Sequence, residues 1–240
     1  MGTPLQVSTA KSRVLPWWVA TGVLTALAMV AFAANSILTR MALGPRLIDA
    51  GTFTAVRLLS GAVVLAAMVR ATRSSWTFLR PEGLFGPLSL FLYAVPFSFA
   101  YVRIGAAAGA LVLFGVVQLT MVGWGIVRGE RPRLRTWTGL ALALAGLGIL
   151  TVPGATRPDL LGVVLMAVAG VGWGIYSLGG RQARDPLAAN ARSFLWSVPL
   201  AAAVALLFPR SITGASGVYL AIVSGGVTSG IGYAIWYQAL

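Results

Sequence analysis

Ser89, Tyr93, Phe97 and Tyr101 recur at every fourth position of one apolar run, which sets them along one face of a helix. That stripe could stack on or hydrogen-bond a small organic solute, or pack one helix against another. Asn35 and Thr39 share a face in the same way, and Gln118 stands as an isolated amide in an aliphatic run. Trp173, Tyr176 and Ser177, then Thr228, Ser229, Tyr233, Trp236 and Tyr237, add hydroxyls and polar-tipped rings to two later runs. Polar side chains in such runs are costly in lipid and tend to face protein or water. The candidate substrate-binding residues are therefore Asn35, Tyr93, Phe97, Tyr101, Gln118, Trp173, Tyr176, Ser177, Thr228 and Tyr233. Trp236 and Tyr237, near the end of the last run, are read as interfacial aromatics, as are Trp17, Trp18, Trp76 and Trp137 at other run ends.

The chemistry these residues support is binding. The chain has no histidine and no cysteine, and its five acidic residues, Asp49, Glu82, Glu130, Asp159 and Asp185, fall in loops or at the ends of apolar runs. Metal hydrolysis, a nucleophile with its base, and paired-carboxylate catalysis each need residue types that the runs lack. The expectation is a protein that is not an enzyme and needs neither metal nor cofactor. Arg57 lies inside a run, five residues from its start, and is read as snorkelling to the outer surface. An anion-binding role is the alternative.

The elements that must hold these side chains are membrane helices. Of 240 residues, 58% are hydrophobic and 10% charged, against roughly 25% charged in an ordinary soluble domain. Mean hydropathy is +0.86. The net charge of +13 comes from short basic clusters between apolar runs, the pattern of membrane flanks and not of a nucleic-acid surface. Crossing a bilayer takes about 20 apolar residues, and eight runs qualify: 17–38, 52–69, 83–102, 106–127, 137–152, 160–179, 193–208 and 218–240. Pro96 and Pro199 fall inside runs and predict kinks, while pairs such as Gly170/Gly174 and Gly226/Gly230 predict close helix approach. The partners expected are a lipid bilayer and a small-molecule substrate, with no nucleic acid.

Orientation follows from the basic residues. With the N-terminus in the cytoplasm, segments 11–13, 70–80, 128–135 and 181–192 hold twelve of the eighteen, and the outer segments hold five, Arg40, Arg46, Arg103, Arg157 and Arg210. That imbalance predicts a multi-pass protein of the inner (plasma) membrane with a cytoplasmic N-terminus.

Internal similarity adds a layer of organisation. Residues 31–40 overlay 172–181 at an offset of 141, matching Ser36 with Ser177 and Arg40 with Arg181. At an offset of 135 the second run overlays the seventh, pairing Arg57 with Arg192, and the third overlays the eighth, setting Tyr101 against Trp236. A first unit of five helices puts the second unit in the membrane upside down, an arrangement recurrent in transporters. The predicted organisation is a cytoplasmic tail (1–16), a five-helix repeat (17–152) and a partial repeat of three helices (153–240).

The stretches NSILTR (35–40), TFTAVRLLSG (52–61), FAYVRIGAAAGALV (99–112), RGERPRLRTWTGLALALAGLGIL (128–150) and GYAIWYQAL (232–240) resemble EamA-type transporters of the drug/metabolite transporter superfamily. The likeness runs over nearly the whole chain beyond its N-terminal tail. It implies ten helices in two inverted five-helix repeats around a central cavity, lined mainly by the first, third, fourth, sixth, eighth and ninth spans. Substrates in that family are chiefly amino acids, metabolites and drugs, often exported. This chain holds only eight such runs. The fold expected is thus an all-α bundle of eight transmembrane helices, a C-terminally truncated 5+5 inverted repeat whose complete form has about 287 residues. The function implied is a permease working by alternating access. The alternatives are a non-transporting remnant or assembly subunit, with a homo-oligomer or the two further helices completing the bundle.

Overall fold

The computed structural model describes residues 16–72, 83–151, 159–208 and 214–239. They form α1 (Trp17–Leu43), α2 (Ala50–Thr72), α3 (Phe85–Arg103), α4 (Ala106–Val127), α5 (Leu134–Thr151), α6 (Leu160–Gly180), α7 (Pro186–Leu207), α8 (Ala215–Val223) and α9 (Gly232–Ala239). Between α8 and α9 the chain widens into a π-helical stretch, Ser224–Ile231, and Ala215–Trp236 runs as one span. Among the described residues seven helices are long and apolar enough to cross a membrane: α1 to α4, α6, α7 and the composite last one. The chain is an all-helical, multi-pass membrane protein. The fifth expected run, 137–152, falls on α5, which is not one of the seven.

Local chemistry sets the helix ends. The Asp49, Asp159 and Asp185 carboxylates accept from the backbone N–H groups of Thr52 (2.8 Å), Gly162 (2.7 Å) and Ala188 (3.2 Å). Each satisfies a donor that the first turn leaves free. Three of the acids therefore act as N-caps. Glu82, like Trp76, lies outside the described residues. The Asp185 cap and Pro186 in the first turn start α7 at residue 186, earlier than the expected 193. Arg192 consequently lies within a helix and not in a connection. Helix α1 likewise runs on to Leu43, and Arg40 in its last turn donates to the carbonyls of Tyr101 (2.6 Å) and Val102 (3.4 Å) at the end of α3. Close by, Arg103 pairs with Asp159 at 3.4 Å, joining the end of α3 to the start of α6.

Packing centres on α6, which lies against α3 and α4. A Cβ on Gly172 would sit 2.7 Å from the Tyr93 backbone nitrogen, and Cβ atoms on Gly170 and Gly174 would sit 2.7 Å from the Cβ atoms of Val116 and Thr120. The bare backbone on this face is what lets three helices meet, as the small-residue pairs predict. Helix α2 packs against α7 and the π stretch, and α1 against α8, the π stretch and α9. Helix α5 rests on α4. Pro96 and Pro199 lie inside α3 and α7. Outward faces are apolar, with Val30, Val63, Leu142 and Leu207 all at least 60% exposed, a surface suited to lipid and far too apolar for a soluble monomer.

Candidate functional site

Helices α1, α3 and α6 and the last span converge on one buried polar and aromatic cluster. Asn35 on α1 ties it together. Its carboxamide oxygen accepts from Ser224 (2.6 Å) and Thr228 (3.2 Å) on the π stretch, and its nitrogen donates to the Tyr93 hydroxyl on α3 (3.4 Å). Ser224 and Thr228 also stand one turn apart, with Thr228 bonded back to the Ser224 carbonyl at 2.8 Å. Thr39 donates to the Asn35 carbonyl (2.7 Å) and so stays within its own helix.

The rings form a continuous wall. Tyr93 and Phe97 lie 5.1 Å apart between centroids, and Phe97 meets Tyr101 edge-on at 4.8 Å. The indole of Trp173 on α6 touches Phe32 (4.7 Å), Phe114 (5.5 Å), Tyr93 (5.7 Å) and Tyr233 (6.3 Å). Tyr233 on α9 in turn meets Tyr176 (5.6 Å) and Phe194 (5.7 Å). Tyr176 donates its hydroxyl to the Asn190 carboxamide oxygen. Ser177 is buried one turn beyond Trp173.

Nine of the ten sequence-predicted residues are therefore interior and close to one another. The tenth, Gln118, is not. It is exposed and lines a cleft of about 390 Å³ with Glu130, Arg131, Arg133, Thr136 and Arg181, at the bundle end carrying the α4–α5 and α6–α7 connections. The reason is helical phase: α4 turns Leu113, Phe114 and Val117 inward, and one residue further rotates the side chain by about 100°.

Arg57 corrects the sequence reading in the opposite sense. It does not snorkel; it is fully buried. Its guanidinium lies over the rings of Phe97 (4.8 Å) and Tyr93 (5.1 Å), and none of its three nitrogens has a hydrogen-bond partner among the described residues. The π stretch presses Gly225 onto the Arg57 carbonyl and the Ser60 hydroxyl, leaving no room there for a side chain. Arg57 is thereby held against the ring wall. A desolvated cation–π contact contributes roughly 2 kcal/mol, whereas burying an ion costs several kcal/mol even after relaxation. The rings alone do not balance the charge. The Tyr101 hydroxyl lies beside Ser36 and the Tyr233 hydroxyl beside Tyr93, neither in hydrogen-bond geometry, and both are within electrostatic reach of Arg57.

Clefts open near the two ends of α3, and the first of them reaches the cluster at Tyr176. One, of about 190 Å³, is lined by Gly86, Tyr176, Gly180, Arg192 and Ser193 near the start of α3. The other, of about 310 Å³, is lined by Arg46, Asp49, Phe99, Arg103 and Phe208 near its end. Sequence reasoning missed Phe32, Asn190 and Ser224. The Ser224–Thr228 spacing was a usable signal; the change to a π-helix, which aims both hydroxyls at Asn35, left none.

No family model matches the chain. A crystal structure described only as that of a protein superposes with a TM-score of 0.65 at 23% identity, covering 89% of this chain and 78% of its own, a likeness of fold. The uncharacterized protein PA1977 of Pseudomonas aeruginosa is 47% identical over 218 residues, which cover 90% of this chain and 76% of that protein. Identity that high over so much of both sequences places them in one family, and this chain belongs to the family of PA1977.

Proposed function

We propose that this protein is a permease of the EamA type that moves a small organic solute across the inner membrane by alternating access, in the export direction, with its N-terminus in the cytoplasm. The observation that carries this reading is the Asn35–Tyr93–Trp173–Tyr233 cluster inside the bundle, with a cleft that reaches Tyr176, beside Tyr233, from one end. A polar and aromatic site at mid-depth, reached from one end at a time, is the layout in which rocking of two halves moves a solute. The proposed halves are inverted repeats, with α5 as an eighth span completing the first. Packing supports this: α6 lies on α3 as α1 lies on the last span, and α7 on α3 as α2 on the last span. Exchanging the paired helices reproduces the same neighbours.

The test is flux. Reconstituted into liposomes, the full chain should give saturable counterflow of labelled small organic solutes, and Tyr93→Ala with Tyr233→Ala should abolish it while folding yield is retained. Absence of counterflow across a panel of carboxylates, amino acids and amines would overturn the reading.

A further inference from the structure

We infer that Arg57 is the anchor for a carboxylate, and that the solute is a small organic anion with an apolar or aromatic body, selected over zwitterions and cations. The inference rests on the permease reading above and names its substrate class. Three observations carry it. First, the guanidinium is fully buried and all its nitrogens lack protein partners among the described residues. Arginine presents five N–H donors in a planar fork that matches a carboxylate edge. Second, the described acids offer it no partner inside the bundle: Asp49, Asp159 and Asp185 cap helix starts, and Glu130 is exposed beyond the end of α4. Third, the groups around the fork are rings, Tyr93 and Phe97 beneath it and Trp173 and Tyr233 behind them. A carboxylate would meet the charge while its body stacks on those faces.

The same surroundings disfavour an ammonium group. The amide oxygens of the cluster are already engaged, that of Asn35 accepting from Ser224 and Thr228 and that of Asn190 from Tyr176. A zwitterion would gain the Arg57 contact but leave its cation without a counter-charge, and an amine would meet Arg57 as a like charge.

Isothermal titration of the detergent-solubilised full chain with acetate, pyruvate, benzoate and phenylacetate, and with phenylalanine and phenethylamine as matched ring compounds, tests this. Phenylacetate should bind at least tenfold more tightly than phenylalanine, with phenethylamine weakest. Arg57→Gln should weaken phenylacetate binding at least tenfold, Arg57→Lys should retain part of it, and Arg128→Gln, an exposed arginine over Trp124, should leave it unchanged. Ligand-free Arg57→Met should melt no lower than the parent, because it removes an uncompensated buried charge; a residue kept for structure would lower the melting temperature. Failure of all four acids to bind, equal binding of the amine, or unchanged acid binding by Arg57→Gln overturns the inference. Arg57-dependent acid binding without flux in liposomes would leave this site standing and sink the permease reading. Flux of another solute that Arg57→Gln does not alter would do the reverse.

Discussion

Phe32 and Trp173 meet edge to face with ring centroids 4.7 Å apart, and the proposed repeat, at an offset of 141 residues, makes them equivalent positions. Equivalent residues of two repeats can touch only near the axis relating them. The contact thus supports the proposed inverted repeat and marks where the two halves would pivot, beside the ring wall that holds Arg57. Replacing Phe32 by Ala should impair flux by removing this bearing surface, and should lower stability by about 3 kcal/mol as a large core deletion.

Asn35→Leu removes the acceptor shared by Ser224 and Thr228 and the donor to Tyr93. Hydrogen bonds in membrane bundles contribute modestly, so the expected loss is about 1 kcal/mol, visible as a drop of a few degrees in the melting temperature in detergent. Flux should fall far more than stability, because the π stretch loses its tether to α1.

Glycine substitutions should separate by location. Gly172→Ala forces α6 away from the α3 backbone at Tyr93 and should cost about 1–3 kcal/mol as overpacking. Gly22→Ala meets nothing within 4 Å and should be neutral or stabilising, since alanine is the better helix former. Thermal unfolding of the two variants side by side checks the sign of each.

Gln118→Leu should reduce flux much less than Asn35→Leu, because its side chain lines a cleft at the bundle end, apart from the ring cluster. Equal losses in a counterflow assay would place Gln118 on the solute path.

Topology is open to a direct measurement, since the chain has no cysteine. A cysteine at position 133 should stay unmodified by an impermeant thiol reagent in intact cells, and one at position 46 should react. The reverse pattern would refute the cytoplasmic N-terminus.

Asp49→Ala should cost about 1 kcal/mol through loss of the α2 cap, and Asp49→Asn should cost less, because asparagine caps equally well. Both variants should keep any dependence of flux on a solute gradient. If that dependence disappears in well-folded Asp49→Asn, a loop carboxylate takes part in energy coupling.

Much of the architecture was legible because lipid imposes a simple rule: every spanning segment must be apolar and satisfy its own backbone. Seven expected runs coincide with long apolar helices, and the four-residue recurrence of Tyr93, Phe97 and Tyr101 placed them on one inward face. Phase could not be read for Gln118, because α4 is apolar on every side and its pattern does not say which face is inside. The early start of α7 was hidden by polar residues in its first turns, which satisfy caps and neighbouring helices and read as a loop.

Composition and period were enough to show a membrane helix bundle and to locate seven of its long apolar helices, because burying apolar side chains and backbone groups in lipid depends on little else. The fate of Arg57 was set by packing between helices. Five residues from the start of its run it had the reach to snorkel, and what prevents this is Gly225 packed on its backbone and the rings of Tyr93 and Phe97 against its head group. Those neighbours come from other helices, more than thirty positions away in the chain. Whether a charge sits in water or against a ring wall is set by how helices pack, and no local pattern encodes that.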